Sequence, residues 1–244
     1  MRLKKPLKKS KMPLPIDSNP PNTTKVNWTI KDAIFILIIQ YVFIFFLSLL
    51  FLKKMKENPY IGAFFVSIFT IILISFLLFR RKEKWSSLGF VKKDNGKMII
   101  KGILFGVVLF FLTKLFFNYF SFGELYIDKF NFIKVLKTFL LIITFKGFNH
   151  ILLTPFIEEI IDRGLLYQAI QNKFNKWQSI IIVSILSSVL HFSSFAQPNW
   201  LMIRFIYGLS LTYLFDRYKN LSITIACHST LNYIPWAIWI LKEI

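Results

Sequence analysis

Long apolar stretches alternate with short polar ones along most of this chain. Ala33 to Leu52 carries no charge, nor does Ile61 to Phe79. Gly102 to Thr113, extended past Lys114 to Phe120, is a third stretch. Thr138 to Phe145, continuing to Leu153, is a weaker fourth, interrupted by Lys146, Asn149 and His150. Ser179 to Phe195, Leu201 to Phe215 and Leu221 to Leu241 complete the series. A helix needs about 20 mainly apolar residues to cross a bilayer, and a water-soluble domain of this size could not hide so much apolar surface. The pattern predicts an all-α, polytopic helical membrane protein with about seven transmembrane helices (six to eight). Residues 29–244 form one membrane domain, because no polar segment after residue 28 is long enough to fold alone.

Charge refines this picture. The net charge of +19 raises the question of nucleic acid, but the basic residues cluster in the ends and loops. Residues 1–28 hold Arg2, Lys4, Lys5, Lys8, Lys9, Lys11 and Lys25, and loop 80–97 holds Arg80, Arg81, Lys82, Lys84, Lys92, Lys93 and Lys97. Loops 53–60 and 121–133 are poorer in lysine. The positive-inside rule therefore places the N-terminus and the second loop in the cytoplasm of a cell membrane. The expected partner of these lysines is anionic lipid, at about 1 kcal/mol each near the surface, and no nucleic acid. The tail 1–28, rich in Lys, Pro and Asn, reads as disordered. Run 33–52 starts too late and is too long for a signal peptide and is expected to stay as a helix. The single Cys227 cannot form an intramolecular disulfide and fits no metal motif.

Three places put polar or charged groups inside apolar segments, where each costs at least about 2.5–3.5 kcal/mol and marks a candidate functional residue. The first is "FIEEIIDRGLLY", Phe156 to Tyr167. Thr154-Pro155 before it reads as an N-cap followed by proline at the first helical position. Glu159 and Arg163 are spaced i, i+4 with the acid on the N-terminal side, the better orientation for an ion pair. Glu158 then lies about 100° around the helix, free for another task. An interfacial helix with a solvated charged face accounts for the pair but less well for a second carboxylate. The second place is His191, which also fits a satisfied core histidine. The third is "ACHSTLNY", where His228 and Asn232 share a helix face and could donate to one oxygen or bond a neighbouring helix. His150 reads as an interfacial or packing residue. There is no HExxH zinc helix, no GxSxG elbow and no P-loop.

Glu-Glu-x3-Arg-Gly, then a histidine, then His-x3-Asn is the motif order of the CPBP family, the CAAX prenyl endopeptidases and bacteriocin-processing (Abi) proteins. The chain resembles that family through "EEIIDRG" (Glu158 to Gly164), His191, and His228 with Asn232. The run "FIYGLSLTYLFDRYKNLSITIACHSTLN" is also similar to its last two core helices. The likeness covers roughly Thr154 to Tyr233, within a core expected at about 130–240. Two positions depart from the family pattern: Ser187 stands where Phe-x3-His has its phenylalanine, and Asp162 stands where phenylalanine commonly precedes the arginine. Both read as packing positions.

The resemblance implies a glutamate-dependent intramembrane endopeptidase. Glu158 would be the general base, positioning and deprotonating a water with His191. His228 and Asn232 would form the oxyanion hole, and Glu159 with Arg163 a supporting ion pair. The substrate would be a membrane-associated peptide or protein, in a bacterium a pheromone or bacteriocin precursor. No cofactor is implied; the alternative is zinc, with Glu158, His191 and His228 as ligands. A non-enzymatic alternative is bacteriocin self-immunity or a membrane partner of signalling proteins. The three motif-bearing helices are expected to converge on one polar cavity. That cavity should open toward the cytoplasmic leaflet, the side of the N-terminus and of the basic segment Asn172 to Lys176.

Overall fold

The computed structural model describes residues 28–57, 59–92, 94–118, 144–191 and 198–243. Among these residues there are seven helices, one short 3-10 turn at Trp85–Leu88 and no strands. The helices are α1 (Ile30–Glu57), α2 (Pro59–Arg81), α3 (Asn95–Asn118), α4 (145–171), α5 (Lys176–Leu190), α6 (Pro198–Tyr218) and α7 (Leu221–Glu243). The protein is a helical membrane protein, with rows of exposed apolar side chains such as Leu50, Phe79 and Leu115 on the outer faces of the first three helices; so much apolar surface facing outward marks contact with lipid. By length and composition, Ile30–Phe51, Tyr60–Arg81 and Asn95–Phe117 can each cross a membrane, while the apolar part of α5 is shorter. The remaining runs form helices as expected but carry the polar residues of the site, which dilute their apolar character. Residues 1–27 of the tail, loop 121–133 and the start of the fourth run fall outside the described residues.

Local signals fix several helix ends. Thr29 opens α1 with a reciprocal capping box: its N–H donates to Asp32 Oδ2 (2.8 Å), and Asp32 N–H donates to Thr29 Oγ1 (3.3 Å). Asn175 and Gln178 make the same exchange at the start of α5. Trp28, assigned from sequence to the tail, is instead 1% exposed and packed in the core, its indole N–H on the Ser87 carbonyl at 3.4 Å.

Close approaches bind the helices in pairs. Gly102 and Gly106, one turn apart on α3, face α7. A Cβ at Gly102 would stand 2.3 Å from the Ile223 carbonyl oxygen, and one at Gly106 would stand 2.7 Å from Thr230 Cβ. Small residues let helix backbones meet where the bilayer supplies no hydrophobic drive. Gly208 of α6 likewise sits on Ser184 of α5. α4 is the central helix. Ile157, Ile160, Ile161, Leu165 and Leu166 join Ala33, Ile36, Ile74, Leu78, Val183, Phe215 and Leu221 in one buried cluster drawn from five neighbours.

One end of the bundle gathers the polar links: Arg81 on Asp32, Asn172 Nδ2 on the Trp28 carbonyl, Leu221 N–H on the Gly89 carbonyl, and Lys176 and Lys219 on Asp216. Arg80, Lys82, Lys84, Lys92, Lys97, Lys173 and Arg217 are exposed around it. This basic end holds the start of α1 and both segments that the sequence assigns to the cytoplasm.

Candidate active site

The central helix α4 is not a plain α-helix. It runs Phe145–Gly147 (α), Phe148–Leu153 (π), Thr154–Glu159 (α), Ile160–Tyr167 (π) and Gln168–Gln171 (α). Thr154 is therefore not the helix start that the sequence suggests. Leu153 (φ −72°, ψ −45°) and Thr154 (φ −62°, ψ −52°) are both helical, and Thr154 N–H bonds the Asn149 carbonyl five residues back. A proline in a regular helix clashes with the carbonyl four residues before it. The wider π turn ahead of Pro155 relieves that conflict, so the helix continues through the proline. The register leaves one carbonyl without its backbone donor: His150, five residues before Pro155, accepts instead from Asn232 Nδ2 at 3.1 Å.

Glu158 and Glu159, at the junction of the α and second π segments, have opposite surroundings. Glu159 is 0% exposed. Its Oε1 receives Arg163 Nη1 at 2.8 Å, the expected i, i+4 pair, and lies 2.8 Å from His228 Nδ1. Its Oε2 and Arg163 Nε have no hydrogen-bond partner among the described residues. Arg163 also reaches Asp162 Oδ2 (3.3 Å) and the Gly208 carbonyl (3.3 Å). Glu158 keeps 27% of its side chain exposed. Its Oε1 is 3.3 Å from His191 Nε2, and its Oε2 is 3.5 Å from His228 Nε2. The three motif-bearing helices thus converge, with two imidazoles flanking one carboxylate.

Hydrogen-bond partners orient both rings. His191, the residue that ends α5, has Nδ1 2.7 Å from the Ser187 carbonyl. A carbonyl only accepts, so Nδ1 carries the proton and Nε2 is turned to Glu158. His228 is held in the same sense by Glu159, a buried carboxylate that fixes the ring's tautomer. The contacts of Glu158 with either Nε2 are hydrogen bonds only when a proton sits on the ring or on the carboxyl. His228 and Asn232, expected to aim at one oxygen, point to different acceptors here: His228 to the glutamates, Asn232 to the His150 carbonyl.

Two residues taken from sequence as packing positions prove polar and linked. Ser187 Oγ donates to Asp162 Oδ2 at 2.7 Å. The pair of departures from the family pattern is a single contact, in which a hydroxyl and a carboxylate occupy the place of two aromatic rings.

A cavity of about 510 Å³ adjoins the centre, lined by α3, α6 and α7 together with His150 of α4, and Asn232 is part of its wall. It uses the C-terminal halves of α3 and α7 and the N-terminal half of α6, so it lies in the half of the bundle remote from the basic end. It is not the expected polar cavity walled by Glu158, His191 and His228, because none of these three lines it. Its walls are mostly apolar, with Trp200, Phe110, Phe117 and Leu231. Arg204, which sequence reasoning passed over, and Asp162 and Ser187, which it took as packing positions, carry the signal used for the others: a polar or charged group in an apolar run.

Residues 138–234 match a protein-family model described as Rce1-like, type II CAAX prenyl endopeptidase Rce1-like. Neither a curated protein nor a solved structure matches the chain. The matched segment, less than half of the chain, contains Glu158, Glu159, Arg163, His191, His228 and Asn232, and the match agrees with the resemblance to the CPBP (CAAX protease) family, generally a family of proteases.

Proposed function

We propose that the protein is an intramembrane endopeptidase in which Glu158 activates water to cleave a membrane-associated peptide or protein. The observation that carries the reading is the contrast within the adjacent pair: Glu159 is fully buried and tied to Arg163, while Glu158 is partly exposed between His191 Nε2 and His228 Nε2. In this mechanism a water beside Glu158 attacks the scissile carbonyl and the carboxylate takes its proton. The carbonyl becomes an oxyanion, and donors aimed at it stabilise the transition state. Collapse breaks the C–N bond, and the proton passes to the amine. His191 holds the water. His228, positioned by Glu159 at Nδ1, donates to the oxyanion through Nε2 when both ring nitrogens carry a proton. Asn232 joins it by releasing the His150 carbonyl. Glu159 and Arg163 support the centre.

We assign the protein to the cell membrane of a bacterium as a multi-pass protein, with the basic end and the N-terminus cytoplasmic and anionic lipid headgroups against the lysines. The test is Glu158→Gln, which keeps shape but cannot accept a proton. Loss of a general base lowers rate by about 10²–10⁴, so cleavage should vanish while abundance stays near wild type. Surviving cleavage refutes the mechanism, and an intact cellular phenotype without cleavage points to immunity or partner binding instead. A second reading, zinc on Glu158, His191 and His228, draws support from the Glu159–His228 contact, which resembles the outer carboxylate of zinc-bound histidines. Among the described residues no set of three such groups has an arrangement that could hold a metal ion. Loss of activity with EDTA and its return with zinc would select that reading.

A further inference from the structure

The cavity beside the glutamates is lined by Arg204, Lys114 and His150 and by no acidic residue. Arg204 is half-buried on the wall of α6, and it has no ion pair or hydrogen bond among the described residues. It is close enough to act electrostatically on Glu158, His191 and His150. A guanidinium in an apolar wall is costly unless it is paired or faces a polar path, which makes an ionisable group at membrane depth a functional marker. The buried Arg163 is paired with Glu159 and Asp162, and even the exposed Arg81 at the basic end has Asp32. The guanidinium offers a planar fork of donors that fits a carboxylate in two parallel bonds. Aromatic and aliphatic walls surround it, and the volume is within the range of ligand sites. The complement of this lining is an apolar peptide segment that carries one carboxylate.

We infer that Arg204 is a specificity-determining residue: the cavity takes an apolar segment of the peptide substrate, and Arg204 pairs with a carboxylate on that segment. The inference rests on the endopeptidase reading for its substrate but not for its binding contact. Its occupant is the peptide and not a lipid headgroup, because Asn232 on the cavity wall lies one helical turn from His228, beside the carboxylate proposed to activate the water that attacks the peptide.

The experiment uses the purified full-length chain in proteoliposomes. The peptides are matched pairs: free C-terminus against amidated, and Glu against Gln within the apolar segment. Wild type should prefer one acid form over its neutral partner by about tenfold or more in kcat/KM, mostly through KM, which is the size of one specific contact. The pair that shows the preference identifies the carboxylate as terminal or side-chain. In Arg204→Gln that preference should collapse to within about twofold. Arg204→Lys should keep a smaller part of it, and it supplies the readout if Arg204→Gln fails to accumulate. An acid preference that survives in Arg204→Gln, or none in wild type, overturns the inference. If wild type cleaves no peptide, the endopeptidase reading fails, and anisotropy of the same peptides with fluorescent labels still decides: acid-selective binding lost in Arg204→Gln supports the inference, and equal binding overturns it. Displacement of the labelled peptide only by phosphate-bearing lipid, with no effect of added carboxylate peptide, also overturns it.

Discussion

Asp162 and Ser187 offer the most direct test of how this buried site is held. Asp162 Oδ2 receives the Ser187 hydroxyl at 2.7 Å and Arg163 Nη1 at 3.3 Å, and Asp162 is 6% exposed. Ser187→Ala removes the shorter contact and leaves the carboxylate one stretched bond. A hydrogen bond to a charged group contributes about 1.5–3 kcal/mol, so the single change should cost about that much. Asp162→Ala removes the acid and leaves Ser187 without its acceptor, at about 1–3 kcal/mol for the unmet group. Once the acid is gone the serine has nothing to lose, so the double variant should cost less than the sum, by about 1–2 kcal/mol. Asp162→Phe with Ser187→Phe, which restores the family's usual aromatic pair, should recover stability further than either single phenylalanine. The measurement is reversible unfolding in mixed micelles by denaturant titration, applied to all variants at matched lipid content. Additivity within about 0.5 kcal/mol would show that the contact does not couple the two positions. Equal damage from the single and double phenylalanine variants would show that the site cannot accept the aromatic pair.

Other outcomes follow from the same contacts. Arg163→Ala leaves Glu159 buried without its cation and should cost about 3–5 kcal/mol, read as lost expression or unfolding midpoint, whereas Arg163→Lys should be partly tolerated; normal folding and activity of the alanine variant refutes the structural role. Gly102→Leu forces a side chain into the Ile223 backbone, and overpacking of about 1–3 kcal/mol or more should separate α3 from α7, detectable as faster proteolysis of the 119–143 connection; an unchanged cleavage pattern contradicts it. At the basic end, burial alone would raise the Asp216 carboxyl, but the bonds from Lys176, Lys219 and Tyr167 outweigh it and hold the group well below the usual carboxylate range. A carboxyl lower in the folded than in the unfolded chain stabilises above its unfolded value, about 3.9, and loses that stability as pH falls below it. Stability should therefore drop on acidification below about pH 4 more in wild type than in Asp216→Asn, and parallel curves exclude this role.

Some of this was legible in the chain before any coordinates. The Glu159–Arg163 pair follows from i, i+4 spacing alone, because one helix decides it. The meeting of Glu158, His191 and His228 was legible only through the order of three motifs that are each ambiguous. Three features were not legible. The π turns leave no hydrophobic period of their own, and Thr154-Pro155 has the composition of a helix start, so local pattern pointed to a boundary where the chain continues. The Asp162–Ser187 bond joins positions 25 apart, and each alone looks like a lost aromatic. Trp28 follows a lysine-rich tail and reads as part of it, yet a tertiary slot beside Ser87 takes it in. The location of the cavity depends on how α3, α6 and α7 come together around it, and no single segment encodes that.

Pro155 sets a constraint that reaches across the fold. Because proline has no N–H, the His150 carbonyl is left to the amide of Asn232, 82 positions away. The missing hydrogen at 155 thus decides where a side chain on another helix points. Any other residue at 155 would bring a donor that competes for that carbonyl and turns Asn232 loose toward the cavity. The two positions should therefore vary as a unit: a change at 155 ought to be matched at 232, or at whatever residue next claims the carbonyl. The partnership consists of a shared acceptor and never requires the two side chains to touch.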